Sequence, residues 1–185
     1  MIINYQCQNG RLVLEFTPEK EDPSTQHIFN SVFKTTRKVE MRSNRCEINL
    51  LNDWNVESVH PDAFALALIA IIYPFCGPRI RLPQGVSRPF HNQVVNVTNK
   101  KVLPINEGLS PRKAPSDAAP ALSYSGGIDS NVAAALLPED THIFYIDRMA
   151  PKGKTFTLLN QEAAYYACDS IAALGRKVHK IKTDM

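Results

Sequence analysis

The chain has 185 residues, a length that suits one or two domains. Hydrophobic residues make up 44% and charged residues 21%, ordinary for a globular protein, and Lys+Arg at 21 against Asp+Glu at 18 gives a net +3. That excess is too small to argue for nucleic acid, and residues 121–185 carry seven basic and seven acidic side chains, so it lies in residues 1–120.

Residues 1–16 read as two short strands around Asn9-Gly10, the dipeptide most typical of a tight hairpin. Glu21-Asp22-Pro23-Ser24-Thr25 reads as a loop and "CEINLLN" (46–52) as a strand. His60-Pro61-Asp62 opens an apolar helix: proline suits a first helical turn, and Asp62 favours the positive end of the dipole. The apolar run from Phe64 to Cys76 is about 13 residues, short of a bilayer span, so it reads as a buried helix stopped by Gly77-Pro78. "RIRLP" (79–83) reads as a short strand, while "VSRPFHNQVVNV" fits helix and strand equally. Pro104, Pro111, Pro115 and Pro120, with Gly108, Ser110 and Ser116 among them, read as a linker. The expected division is a small α+β domain over 1–103, a linker over 104–120 and a second domain over 121–185.

In that second part the pattern becomes strand, helix, strand, helix, strand. "ALSYS" is a short buried strand, Asp129 to Leu137 a helix and "THIFYID" (141–147) a strand. "NQEAAYYACDSIAALG" (160–175) is a helix stopped by Gly175, and "KVHKIKTD" (177–184) a strand. This alternation implies parallel strands joined by right-handed crossovers.

The four cysteines, Cys7, Cys46, Cys76 and Cys168, form no C-x-x-C pair and read as free thiols, Cys76 and Cys168 as buried ones. His27, His60, His91, His142 and His179 show no ligand spacing. The first residues lack a basic start followed by an apolar stretch, so they do not read as a signal peptide, and a reducing cytoplasm is the expected compartment. Arg37, Lys38, Arg42 and Arg45 form a basic cluster, by default a solvated face and alternatively a contact for tRNA or an anionic substrate.

"ALSYSGGIDSNVAAALL" (121–137) carries the chemistry. A strand ends at Tyr124, a glycine-containing turn follows, and a helix begins, presenting unpaired amides and a partial positive charge. Gly126 and Gly127 admit positive φ and bring no Cβ to block an anion, and Ser125 and Ser130 add hydroxyls. Asp129 suits a Mg²⁺ ligand or a helix cap. The alternative is a plain strand-to-helix turn. Neither the Walker pattern nor the dinucleotide G-x-G-x-x-G is present.

Ser125-Gly126-Gly127-Ile128-Asp129-Ser130 closely resembles the S-G-G-x-D-S signature of the PP-loop ATP pyrophosphatases, a family that includes 7-cyano-7-deazaguanine synthase, asparagine synthetase and GMP synthetase. The resemblance covers about 65 residues, Ala121 to Met185. It implies an α/β fold, a parallel-sheet domain of the HUP or adenine nucleotide alpha hydrolase type. Five strands in the order 3-2-1-4-5 are expected of that fold, of which this chain holds the first three, so a truncated chain or one half of an assembly is the expectation. The resemblance further implies ATP and Mg²⁺. Ser125, Gly126, Gly127, Ile128, Asp129 and Ser130 would hold phosphate, with Asp129 on the metal and Asp129 and Ser130 as catalytic residues, and Tyr145, Ile146 and Asp147 would line an adenine pocket. The implied reaction is attack of a substrate oxygen on the α-phosphorus, releasing pyrophosphate and leaving an adenylated intermediate. The region ahead of the loop, with "VHPDAFALALIAIIYPFCG", more loosely resembles bacterial deazaguanine-synthase-like proteins and the ATP-dependent UDP-N-acetylmuramoyl-L-alanyl-L-glutamate epimerase group. Expected partners are ATP and a small molecule, with no nucleic acid and no membrane, and homo-oligomer formation stays open. A nucleotide-binding protein without turnover and a tRNA-modifying adenylating enzyme are the alternatives. Asp147-Arg148, Lys152 and Lys154 are further candidates for phosphate or ribose contact, against ordinary solvated charge, and one of Tyr165 and Tyr166 is expected in the core.

Overall fold

The computed structural model describes residues 1–31, 34–50, 53–148 and 161–184. It divides into two units, Met1–Glu47 with Leu51–Lys113, and Ile48–Leu50 with Ala114–Met185. The chain is α/β, with mixed, mostly parallel strand pairing and a separate two-stranded antiparallel sheet. No helix among the described residues is long and apolar enough to cross a membrane.

In the first unit, β1 (Ile2–Gln8) and β2 (Arg11–Thr17) form the hairpin that Asn9-Gly10 predicts. Asn9 and Gly10 take φ of 50° and 73°, the left-handed pair that a two-residue turn requires. β3 (Thr25–Asn30) and β4 (Thr35–Glu40) pair antiparallel as a ribbon, and β5 (Arg45–Asn49) follows. α1 (Pro61–Ile72) carries proline in its first turn and buries Phe64, Leu68, Ile69 and Ile72, spaced along one face. Burial of each large apolar side chain of this kind contributes roughly 1.5–3 kcal/mol of transfer free energy. Phe64 meets Tyr5 edge to face, centroids 5.1 Å apart. Tyr73-Pro74 ends the helix in a 3-10 turn.

β6 (Arg79–Val86), α2 (Arg88–Thr98) and β7 (Lys101–Ile105) then form a parallel β–α–β unit, and the strand order is β7-β6-β1-β2. The ambiguous "VSRPFHNQVVNV" is thus mostly helix. Its valines favour a strand locally, but Ser87 caps the first turn, Pro89 suits that turn, and Asn99 closes the far end at φ 57°. His91 is buried and its Nδ1 donates to the carbonyl of Val102, 2.7 Å away, tying α2 to β7. The strand read over 79–83 runs on to Val86, and β7 includes Pro104 and Ile105, the first residues of the expected linker. The boundary between the units falls at Lys113/Ala114, within 104–120.

In the second unit, β8 (Ala121–Ser123), α3 (Ile128–Leu136), β9 (His142–Arg148), α4 (Gln161–Ala173) and β10 (Lys177–Thr183) follow one another. The three strands are parallel in the order β10-β9-β8, with Leu122 beside Ile143 and Val178 beside Ile143. Ile48 and Asn49 of β5 pair antiparallel with Thr183 and Lys182. One face of this sheet packs beneath both helices, around Tyr124, Ala134, Ile143, Tyr145, Ala164 and Cys168. On the other face His142, Phe144 and His179 stack, with His142 Nδ1 and His179 Nε2 3.0 Å apart. Cys46, Cys76 and Cys168 are buried, and burial pushes the Cys76 thiol up to about 11.

Candidate functional site

The turn between β8 and α3 is built by short-range hydrogen bonds. Tyr124 is buried at the end of β8, and its hydroxyl donates to Asn131 Oδ1 at 2.7 Å. Asn131 Nδ2 donates in turn to the carbonyls of Gly126 (3.1 Å) and Gly127 (2.9 Å). Ser130 Oγ donates to the Gly127 carbonyl at 3.0 Å and lies 3.2 Å from Ser125 Oγ. The carbonyls of the turn are therefore held toward the helix. Gly127, the N-cap, brings no side chain of its own to accept from the first turn, and its N–H donates to Ser125 Oγ at 3.4 Å, so the donor capacity left at the start of α3 is that of the amides after it. Asn131, one turn beyond Gly127, is the residue that sequence reading missed. An amide side chain four residues past a glycine cap is its only local signal.

The two glycines differ. Gly126 has φ +78°, and a Cβ there would lie 3.3 Å from Ala164 Cα and 3.5 Å from Ala167 Cβ, so both backbone conformation and the approach of α4 call for glycine. Gly127 has φ −78° and ψ 172°, extended backbone open to any residue, and a Cβ there would meet only Ser125 Oγ at 3.5 Å. The expectation that both glycines supply positive φ therefore holds for Gly126 alone. What Gly127 provides is open space beside the helix N-terminus.

Asp129 and Ile128 lie exposed on the first turn, Ile128 at 84%. Ser130 is buried by comparison, at 9% exposure, and faces into the turn. The structure thus brings Ser125, Gly126, Gly127 and Ser130 together, with Asp129 on the solvent side. No group of three or more His, Cys, Asp or Glu among the described residues could hold a metal by itself. A Mg²⁺ ion bound with a nucleotide needs only one or two carboxylates beside phosphate oxygens, which an exposed Asp129 fits.

Tyr145, Ile146 and Asp147 do not share one surface. Tyr145 packs in the core beneath the helices and Asp147 is buried, whereas Ile146 is 48% exposed, its side chain alternating to the opposite face of β9. Asp147 Oδ1 accepts from Gln161 Nε2 at 2.7 Å, and its Oδ2 accepts from the Tyr165 hydroxyl. That bond, aided by burial, pushes the Tyr165 phenol up to about 12. Lys180 lies 4.8 Å over the Tyr165 ring and pairs with Asp169 at 2.6 Å. Tyr165 packs against the core, and Tyr166 is 76% exposed. The first turns of α4 therefore meet both regions: Gln161 and Tyr165 hold Asp147, and Ala164 abuts Gly126. Lys152 and Lys154 lie outside the described residues. Comparison with protein-family models, with curated proteins and with solved structures returned no match for this chain.

Proposed function

We propose that the turn from Ser125 to Ser130 binds the phosphates of ATP, and that the protein is an adenylating enzyme of the PP-loop ATP pyrophosphatase type acting on a small molecule. The observation that carries this reading is the N-terminus of α3: its glycine cap has no side chain to accept from the first-turn amides, a positive-φ glycine precedes it, and the Ser125 and Ser130 hydroxyls flank it. Such an opening favours an anion through its amides and the helix dipole. The strand order β10-β9-β8 supports the finer reading of a HUP-type domain, because it matches the 3-2-1 half expected of that fold.

In this reading the first-turn amides and the two hydroxyls orient the β- and γ-phosphates. That leaves the α-phosphorus open to attack by a substrate oxygen, with pyrophosphate departing as the P–O bond breaks. Placement and charge neutralisation are then the protein's main contributions. Mg²⁺, when bound, neutralises phosphate charge, and Asp129 is the side chain that would hold it. The substrate's own chemistry stays open in this proposal.

A second reading, ATP binding without turnover, draws on β8: it has three residues and pairs only with β9 among the described residues, a short platform for a catalytic turn. Phosphorus NMR of ATP with Mg²⁺ separates the readings. AMP and pyrophosphate support the enzyme. Saturable binding without cleavage supports the second reading, and ADP with phosphate contradicts both.

A further inference from the structure

The β3–β4 ribbon belongs to the first unit, and the turn before α3 to the second. Its base is anchored: Thr25, Gln26 and Val39 are half-buried, Met41 N donates to Ser24 O at 3.0 Å, and β3 packs against the 3-10 turn Tyr73–Phe75. Beyond that base both faces are open. His27, Phe29, Thr36 and Lys38 share one face and Ile28 and Arg37 the other, by the register His27↔Lys38, Ile28↔Arg37 and Phe29↔Thr36. Phe29 is 63% exposed and Ile28 47%. A two-stranded ribbon is marginal by itself in water, and this one leaves a large apolar side chain open on each face.

The charge on the ribbon says which partner it suits. Residues 25–45 hold Lys34, Arg37, Lys38, Arg42 and Arg45 against a single acid, Glu40, a local excess greater than the +3 of the whole chain. Lys38 pairs with Glu40, and Arg45 lies 3.6 Å from Glu47. Lys34, Arg37 and Arg42 form no ion pair among the described residues, and all three are exposed. The small net charge of the chain hides this concentration. Cations on a ribbon that also exposes an aromatic ring are the chemistry that holds a phosphodiester backbone while a base stacks. Arg37 and Lys38 project from opposite faces, with Lys34 near the turn. A stiff duplex meets one face at a time, whereas a flexible strand can wrap both.

We infer that the β3–β4 ribbon binds single-stranded nucleic acid, with Phe29 stacking on a base and Lys34, Arg37 and Arg42 contacting phosphates. The test is fluorescence anisotropy of the full chain with a labelled oligouridylate of about twelve nucleotides, a length within the range of small single-strand sites. With three phosphate contacts, affinity falls about twenty-fold between 50 and 200 mM salt. The triple change Lys34→Gln, Arg37→Gln, Arg42→Gln abolishes that dependence, and Phe29→Ala lowers affinity about ten-fold at fixed salt while leaving the salt slope intact. All four side chains are exposed, and an unchanged circular dichroism melt verifies the fold of each variant. Absence of salt-dependent binding overturns the inference. So does binding that ignores Phe29, which marks a general polyanion contact, and so does a preference for duplex of the same length. ATP binding is unaffected in these variants, so failure here leaves the reading of the α3 turn intact.

Discussion

Two strand-to-helix junctions in this chain share a topology and differ in how their helices begin. Each links a strand through a short turn to a helix that returns to a parallel strand: β6 to α2 in the first unit, β8 to α3 in the second. At the first, Ser87 is fully buried. Its Oγ accepts from Phe90 N at 3.2 Å and donates to Asp62 Oδ2 at 2.7 Å, and its own N–H donates to Asp62 Oδ1 at 2.8 Å. The helix start is closed by side chains, with a carboxylate from α1 already installed. At the second, Ser130 and Asn131 donate to the carbonyls of the turn, Ser125 Oγ accepts from Gly127 N and lies beside Ser130 Oγ, and the glycine cap offers no acceptor to the first-turn amides. One junction supplies its own anion. The other leaves the place for one open, which is why the functional reading attaches to α3 and not to α2.

Asp62→Ala breaks the closed junction and carries the largest expected effect. It leaves the buried Ser87 N–H and hydroxyl without their acceptor, so urea unfolding registers a loss of about 2–3 kcal/mol while ATP affinity stays unchanged. A loss under about 0.5 kcal/mol contradicts the account of that junction. Gly126→Ala comes next, costing about 1–2 kcal/mol through positive φ and contact with Ala164, together with at least a ten-fold loss of ATP affinity in calorimetry.

Tyr165→Phe removes one of the two side-chain hydrogen bonds to the buried Asp147 among the described residues and lowers stability by about 1–2 kcal/mol in the same urea assay. Gly127→Ala sharpens the comparison further. Its backbone suits any residue, so stability changes by less than about 0.5 kcal/mol, while the new methyl group intrudes on the open space and reduces ATP affinity. Unchanged affinity in that variant argues against a phosphate beside Gly127.

The smallest expected effect depends on pH. Burial, with nearby His142 and Lys177, holds the His179 imidazole below its ordinary range. The unfolded chain then binds a proton that the folded chain refuses. Stability from this group is complete above about pH 6.5 and declines as pH falls from there toward the folded-state pKa. His179→Gln flattens that part of the pH dependence of thermal unfolding, and an unaltered profile removes His179 as its source.

Local signals announced much of this fold. Asn9-Gly10 marks the β1–β2 turn, Pro61 marks the start of α1, and the alternation after residue 120 yields the parallel strands β8, β9 and β10. The illegible parts depend on distant partners. Asp62 reads locally as a dipole residue, but its acceptors serve Ser87, 25 residues away. Asp147 reads as a ligand at a strand end, yet Gln161 and Tyr165 from the next helix engage both its oxygens. Gly127 looks equivalent to Gly126 in sequence, and only the backbone distinguishes a required conformation from an open space. The open faces of the β3–β4 ribbon depend on what packs beside it, which strand propensity does not encode.

The most direct test of the difference between the junctions is amide chemical-shift perturbation, with ATP·Mg²⁺ and then pyrophosphate titrated into the labelled chain. Saturable shifts are expected at Gly126, Gly127, Ile128 and Asp129, needing more ligand to saturate in Gly127→Ala, with Arg88 and Phe90 at the start of α2 unmoved. Shifts of equal size at both junctions, or none at the α3 turn, would contradict that difference.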